Sequence, residues 1–244
     1  DSGLVIPLVV GEAPEVVVEP WKAAGPAWKA REPRDVRPAA VLLRSDRLAA
    51  VQVSPLDRVF PEDRFTTDGE VSGRLEVSAA RNEWESAQFV VCPGPQAGDG
   101  DLEVTVGTLR NDAGLVLPPA ELYEVGYVTT TVPSGYRSHY PVGKWPDPLY
   151  RAGRSALAGG AHRAYWVTVF VPADAQPGLY AAPVQVSCNG KPAGQFTLNV
   201  RVRAFALPPK RTLQACTNQV GWTPARIASN LQPLGYKYEK WQDL

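Results

Sequence analysis

The chain has 244 residues, of which 44% are hydrophobic and 20% are charged, and these proportions are those of a folded globular protein. Its 25 basic and 25 acidic residues leave a formal net charge of zero, so the sequence gives no electrostatic reason to expect a nucleic acid or an anionic membrane as its partner. No apolar run reaches the roughly 18 residues that a membrane-spanning helix needs. We therefore predict no membrane span and no nucleic-acid partner.

The chain begins with Asp1 and contains no Met, as we expect of a processed mature protein or of a piece of a longer one. We predict a secreted, periplasmic or cell-surface location, although no targeting signal is visible. Cys92, Cys188 and Cys216 lie far apart and form no metal-binding cluster. We predict no metal and no cofactor, and whether Cys92 and Cys188 form a disulfide stays open.

Residues 1–40 are predicted to form an extended, irregular arm, because prolines recur through them and scattered charges interrupt any apolar period. Strand-like segments follow, rich in Val, Leu, Thr and aromatic residues and separated by turns that contain Gly, Pro, Asn and Asp. The predicted strands are residues 48–53, 71–79, 86–92, 102–109, 122–132, 164–171, 178–187 and 194–204. Alternating apolar residues in several of them predict sheets with one face towards a core.

We therefore predict an all-β fold, an antiparallel β-sandwich of about eight strands over residues 41–208. The turns at 111–114 and 189–192 are predicted to be hairpins, and Trp166 and Tyr180 are predicted to lie on pairing strands and to fill the core. After Leu207, two prolines indicate a domain boundary. Residues 209–244 are predicted to form a linker followed by a strand and a helix capped by Thr223, which is how a (β/α)₈ barrel begins.

Several sequence segments in one order resemble a known family. They are VFPED at 59–63, AARNEWESAQFVV at 79–91, VGYVTT at 125–130, KWPDPL at 144–149, YWVTVFVPADAQPGLYAAPVQV at 165–186 and RAFALPPKRTLQA at 203–215. The series resembles the N-terminal β-sandwich of glycoside hydrolase family 123 and of related uncharacterised bacterial glycosidase-like proteins, over about residues 48–215.

The resemblance implies that catalysis belongs to a following (β/α)₈ barrel, where an adjacent Asp-Glu pair supports hydrolysis assisted by the N-acetyl group of the substrate. This chain contains no Asp-Glu dipeptide and is too short to add a whole barrel. We therefore assign no catalytic residue and predict no complete catalytic site in this chain, which we interpret as a fragment of a glycoside hydrolase.

Arg81, Glu83 and Glu85 alternate with other residues at the period of a strand, so their charges are predicted to share one face while Trp84 takes the other. An Arg between two Glu can neutralise both carboxylates. We predict a structural ion-pair network here, with a row of sugar-binding side chains as the alternative.

The predicted loop from 133 to 154 is long, aromatic and polar, which suits contact with the apolar faces and hydroxyl groups of sugars. We favour a packing role, in which this loop packs the end of the sandwich against another domain, with carbohydrate contact as the alternative and protein partnering as a third role. The residues predicted to make carbohydrate or interdomain contacts are Tyr136, His139, Tyr140, Trp145, Asp147 and Tyr150.

These inferences favour a non-catalytic β-sandwich module of a glycoside hydrolase that is similar to N-acetylhexosaminidases. Its expected partners are a catalytic barrel domain or a partner subunit, and a carbohydrate. The alternative is a structural or cell-surface assembly protein whose prolines, arm and tryptophans make subunit contacts. A stand-alone carbohydrate-binding module is a third possibility, and it predicts a platform of rings exposed to solvent.

Overall fold

The structure, a computed structural model, describes residues 29–94, 96, 99–132, 141–157 and 160–209. Within these ranges the protein is all-β, with thirteen strands and no helix. The strands are β1 (Asp35–Val36), β2 (Ala40–Arg44), β3 (Leu48–Val53), β4 (Arg64–Phe65), β5 (Arg74–Arg81), β6 (Glu83–Pro93), β7 (Gly100–Val106), β8 (Glu121–Thr130), β9 (Gly143–Arg151), β10 (Arg154–Leu157), β11 (Arg163–Val171), β12 (Gly178–Cys188) and β13 (Lys191–Ala206).

The strands form two large sheets and one two-stranded ribbon. The six-stranded sheet has the order β2-β3-β6-β11-β8-β9, the five-stranded sheet has the order β10-β7-β12-β13-β5, and β1 pairs with β4. Pairing in the six-stranded sheet is antiparallel throughout. The predicted antiparallel pairing is confirmed for most of the strands, and the exceptions are β5, which runs parallel to β13, and β1, which runs parallel to β4.

The two large sheets share one buried core, as in a β-sandwich. Phe89 of the six-stranded sheet stacks on Tyr165 with ring centroids 5.3 Å apart, and it meets Phe196 of the five-stranded sheet edge-on at the same distance. All three rings are buried. Burial of each such side chain stabilises the fold by about 1.5–3 kcal/mol, so these contacts hold the sheets together.

The six-stranded sheet is also covered on part of its outer face. A second buried cluster contains Val90, Val125 and Ala164 of that sheet together with Val59, which precedes the ribbon strand β4. Strand β6 is therefore buried on both faces from Ala87 to Cys92, and its run of consecutive apolar residues reflects this. We call residues 54–66, which lie on this face, the cover segment.

The chain passes from one sheet to the other at Asn82. This residue has a φ of 60°, a left-handed conformation that Asn tolerates better than most residues. Its backbone N–H donates to the carbonyl of Val171 at 2.7 Å, and its side-chain amide donates to the carbonyl of Leu207 at 3.2 Å. The turn thus fixes the ends of β5, β6, β11 and β13 relative to one another.

The local predictions are confirmed in part. The turn at 111–114 does form a small hairpin, because Arg110 pairs antiparallel with Val116 across it and the Leu117 N–H donates to the Leu109 carbonyl at 3.1 Å. The flanking strands β7 and β8, however, lie in different sheets. Trp166 and Tyr180 likewise lie on strands of different sheets, and only Tyr180 belongs to the inner core. The turn at 189–190 does form the predicted hairpin, between β12 and β13.

The described part of the loop predicted at 133–154 is largely strand. Residues 143–151 form β9, an edge strand that pairs with β8, and β10 begins at Arg154. Pro146 and Pro148 made this segment resemble a loop, but an edge strand needs ladder hydrogen bonds on one side only and so accommodates proline.

All thirteen strands belong to one compact unit, which ends at Leu207. The helix and strand predicted within 209–244 lie outside the described residues, and so does most of the predicted arm. Of that arm the structure describes residues 29–40, which include β1 and the first residue of β2. The described part of the chain has no helix of the length and apolar character required to cross a membrane.

Candidate functional site

A polar and aromatic cluster lies where the cover segment meets residues 29–36 and the edge of the six-stranded sheet. Its centre is Asp63, whose side chain has no exposed surface. Arg34 binds this carboxylate through two nitrogens, with Nη2 2.9 Å from Oδ2 and Nε 3.2 Å from Oδ1. Arg31 adds a contact at 3.4 Å, and the backbone N–H of Phe60 donates at 2.9 Å. Asp63 therefore ties residues 31–34 to the cover segment.

Aromatic rings extend the cluster towards β9. The ring of Phe60 meets Trp145 edge-on with centroids 5.2 Å apart, and the guanidinium of Arg31 lies 3.6 Å from the centroid of the same Phe60 ring. Arg58 lies over Trp145 at 5.6 Å. These cation–π and ring contacts fix the Trp145 side chain against the cover segment.

The other end of the cover segment is held by Gln88, a buried side chain of β6. Its amide nitrogen donates to the carbonyls of Ser54 at 2.8 Å and Asp57 at 2.9 Å. Its amide oxygen accepts a hydrogen bond from the indole of Trp166 at 3.0 Å. Because all the polar atoms of this side chain have partners, Gln88 can be buried without a large penalty.

His162 and Tyr127 lie in the electrostatic field of the same acidic and basic groups. Burial lowers the pKa of His162, and the negative charge of Asp63 partly opposes this effect. Burial raises the pKa of Tyr127 to about 12. The imidazole packs edge-on against Phe65 at 5.0 Å. Both side chains are therefore neutral near pH 7.

Four buried polar atoms of this cluster have no hydrogen-bond partner in the described part of the chain. They are Nε of Arg31, Oε2 of Glu62, the hydroxyl of Tyr127 and Nε2 of His162. Buried polar groups are almost always paired with protein, water or a ligand. These four atoms are therefore suited to hold ordered water or the hydroxyl groups of a small neutral molecule. In the described ranges, no group of three or more His, Cys, Asp or Glu side chains is arranged to bind a metal.

The structure places three of the six predicted contact residues on β9. Trp145 packs on the cover segment, Asp147 is exposed, and Tyr150 is about half exposed, with its ring directly over Gly126. Tyr150 is therefore a packing residue of the β8–β9 pair, and only Trp145 reaches the cluster around Asp63. Tyr136, His139 and Tyr140 lie outside the described residues.

The predicted ion-pair network of Arg81, Glu83 and Glu85 does not form, because Asn82 turns the chain and breaks the strand period on which the prediction relied. Arg81 donates instead to the carbonyl of Ala204 at 3.0 Å, and Glu83 accepts from the backbone N–H of Ala80 at 2.6 Å. These two side chains thus stabilise the corner between the sheets. Glu85 is half-buried on β6.

The sequence prediction missed the central role of Asp63 and its arginines. The VFPED segment was noted only for its resemblance to the family, and neither arginine stood out in the proline-rich arm. A signal was present, because Asp63 follows the apolar residues Val59 and Phe60 closely, and a carboxylate beside buried residues needs a basic partner.

Cys92 and Cys188 are both free thiols. Cys92 lies on β6 of the six-stranded sheet and belongs to the outer-face cluster, whereas Cys188 lies on β12 of the five-stranded sheet and packs against the inner core. The possible disulfide between them is therefore not formed. Cys216 lies outside the described residues.

The fold is similar to that of a family 123 glycoside hydrolase from Clostridium perfringens, whose structural analysis addresses glycolipid glycan hydrolysis. The TM-score is 0.52 at 14% identity, and the match covers 66% of this chain and 28% of that chain. At this identity the likeness shows a shared fold only. The chain thus spans little more than a quarter of the length of that enzyme.

A second solved structure is similar to a lesser extent. The ASH/PapD-like domain of human CEP192 matches with a TM-score of 0.32 at 12% identity, covering 54% of this chain and 81% of that one. Such a score supports no inference about this protein. No protein-family model matches the sequence, and no curated protein matches it.

Proposed function

We propose that this chain is a non-catalytic β-sandwich module of a glycoside hydrolase similar to N-acetylhexosaminidases. In this role it supports a catalytic barrel domain and contacts carbohydrate. The observation that carries the proposal is the likeness in fold to a family 123 glycoside hydrolase. The match covers 28% of the chain of that enzyme. The remaining length of such an enzyme leaves room for a separate catalytic domain.

The chemistry around Asp63 favours a supporting role over a catalytic one. Glycoside hydrolysis generally needs two carboxyl groups on either side of the scissile bond, one of which exchanges a proton. Both oxygens of Asp63 instead accept hydrogen bonds from arginine side chains or a backbone N–H. A carboxylate bound in this way is occupied by structural contacts and is poorly placed to attack or protonate a sugar.

The cover segment gives the module a firm surface on which another domain can rest. Asp63 and Gln88 hold its two ends. Between them, Phe60 packs against Trp145 of β9 on one side and against the guanidinium of Arg31 on the other. A surface fixed by several independent contacts changes little on association. We expect this rigid surface to adjoin the barrel domain, with secretion or surface display as the setting.

The experiment is an activity comparison. The 244-residue chain and the protein purified from its native source are incubated with the 4-nitrophenyl glycosides of N-acetylglucosamine and N-acetylgalactosamine. We expect release of 4-nitrophenol by the native protein and none by the 244-residue chain. Hydrolysis by the 244-residue chain alone would contradict the non-catalytic role. If neither protein hydrolyses either glycoside, the assignment to a glycoside hydrolase fails and the structural or surface-assembly alternative gains support.

A further inference from the structure

Among the described residues, only one end of the outer face of the six-stranded sheet is covered. The cover segment buries Val90, Ala164 and Val125, which lie on β6, β11 and β8. Further along the same face, the register aligns Trp84 with Phe170 and aligns Ser86, Thr168 and Glu121 in one row. Trp84 is 57% exposed, so this end of the face is accessible. We call Trp84, Phe170, Ser86, Thr168, Glu121 and Tyr123 the aromatic face.

One part of the aromatic face is an apolar platform formed by Trp84 and supported by Phe170. The two ring centroids lie 4.9 Å apart and the rings are tilted by 31°, so Phe170 packs against the more exposed Trp84 ring and holds it in place. An indole exposed to this extent is unusual in a soluble protein, and exposed rings of this size commonly mark a binding surface. Nothing in the inner core requires Trp84, because its side chain points away from that core.

The other part is polar, and its charges cancel. The hydroxyls of Ser86 and Thr168 are 2.9 Å apart, and Tyr123 donates to Glu121 at 2.5 Å. Arg151 of β9 forms an ion pair with Glu121 at 3.3 Å and lies over the Tyr123 ring at 5.2 Å. The hydrogen bond from Tyr123 lowers the pKa of Glu121, so this carboxylate stays ionised. Such a paired surface complements a neutral ligand rich in hydroxyl groups better than a charged one.

We propose that the aromatic face binds a neutral oligosaccharide that contains N-acetylhexosamine. The C–H face of a sugar ring stacks on Trp84, which Phe170 supports, while sugar hydroxyls and acetamido groups reach the polar row. Phe170 lies four positions after Trp166, the partner of Tyr123, and this offset spans about 13 Å along the strand. This distance exceeds the size of one sugar ring, so the ligand is an oligosaccharide. The choice of N-acetylhexosamine rests on the proposed function.

The test is calorimetric titration of the 244-residue chain with chitohexaose, an oligosaccharide of N-acetylglucosamine, and with cellohexaose, which lacks the acetamido groups. We expect chitohexaose to bind more tightly than cellohexaose. Trp84→Ala is expected to weaken chitohexaose binding by about ten-fold or more, because it removes the larger ring of the platform. Arg151→Gln is expected to weaken it by a smaller factor.

The matched control is Phe205→Ala. Phe205 is 61% exposed and lies on β13 of the other sheet, so its loss tests whether any exposed ring matters. We expect the control to bind as the unchanged chain does. The proposal is overturned if neither oligosaccharide binds, or if Trp84→Ala and Phe205→Ala bind alike; the exposed rings would then be a protein-docking surface. Titration measures binding and not hydrolysis. A native protein that hydrolyses neither glycoside would therefore contradict the proposed function and leave the proposal of this binding site standing.

Discussion

The side chain of Asp63 has no exposed surface, yet it carries a charge that two arginines share. Replacing it by Asn removes this charge while keeping the shape, and it leaves Arg34 without its bidentate partner. Because both arginines retain some exposure to water, we expect a loss of about 1–3 kcal/mol in the free energy of unfolding. Urea denaturation followed by circular dichroism measures this change.

The control for Asp63→Asn is Asp35→Asn. Asp35 lies on the neighbouring strand β1 and is exposed, so its replacement is expected to change the free energy of unfolding by less than about 0.5 kcal/mol. Equal effects of the two substitutions would contradict the role assigned to Asp63.

His162 predicts a dependence of stability on pH. Burial lowers its pKa in the folded protein below the value of about 6.5 expected in the unfolded chain. Between these two pKa values the unfolded chain binds more protons, so stability is fully present above pH 6.5 and declines as the pH falls below it. Urea denaturation at intervals between pH 7.5 and 5.5 should show this decline.

The variant His162→Gln isolates the contribution of the imidazole. All other titratable groups are common to the two chains, so their effects cancel in the comparison. We expect the variant to lose less stability than the unchanged chain between pH 7.5 and 5.5. Parallel losses in the two chains would show that His162 does not titrate differently on folding.

At the level of strands, Gly126 and Tyr150 couple β8 to β9. A methyl group added at Gly126 would lie 2.2 Å from a carbon of the Tyr150 ring, so the ring has to move. We expect Gly126→Ala to cost about 1–3 kcal/mol in the free energy of unfolding, as overpacking usually does. Gly153→Ala is the control, because no atom lies within 4 Å of the added carbon there.

A double variant makes this prediction sharper. If the Tyr150 ring is the cause of the clash, Gly126→Ala should cost much less in a chain that already carries Tyr150→Ala. Equal costs in both backgrounds would assign the effect to the backbone of β8 and not to the ring.

The strands that the sequence predicted well are those with a clear period or a dense apolar run. Segments 48–53, 164–171 and 178–187 agree closely with β3, β11 and β12. Strand β9 was missed, because its prolines resemble a loop and their tolerance depends on an edge position that only the sheet defines. The covered outer face was missed for a similar reason, since it depends on contacts between residues about 30 positions apart, such as Arg34 and Asp63.

The site residues were predicted less well than the strands. Trp145 was identified from its aromatic and polar surroundings, but its contact with Phe60 depends on how the cover segment folds back. The alternation that placed Trp84 apart from Glu83 and Glu85 agrees with the register of β6, and this exposed ring now belongs to the aromatic face. The predicted ion pairs failed because one left-handed residue, Asn82, interrupts the strand.

For the molecule as a whole, Cys92 reports on unfolding. Burial raises the pKa of this thiol to about 12, so its reactive thiolate is scarce in the folded protein. In a chain that carries Cys188→Ser and Cys216→Ser, we expect Cys92 to react with Ellman's reagent only when the whole sandwich unfolds. The rate of this reaction, relative to that of the unfolded chain, should then be lower by a factor equal to the equilibrium constant between the folded and unfolded states. Rapid reaction in the folded protein would mean that the outer face opens locally.

The two faces of the six-stranded sheet have different roles in this account. The inner face packs against the five-stranded sheet. The cover segment packs on one end of the outer face, and the aromatic face lies at the other end. A module built in this way can adjoin a catalytic domain and still hold a sugar chain. The proposed function therefore requires that the catalytic domain be part of the same native protein.

The most direct test is the intact mass of the native protein, measured by mass spectrometry and compared with the 26.4 kDa of this chain. A (β/α)₈ barrel has about 250 residues, so we predict a mass greater by on the order of 25–30 kDa or more. A native mass of 26.4 kDa would contradict the account, because no catalytic barrel would then accompany the module in its own chain.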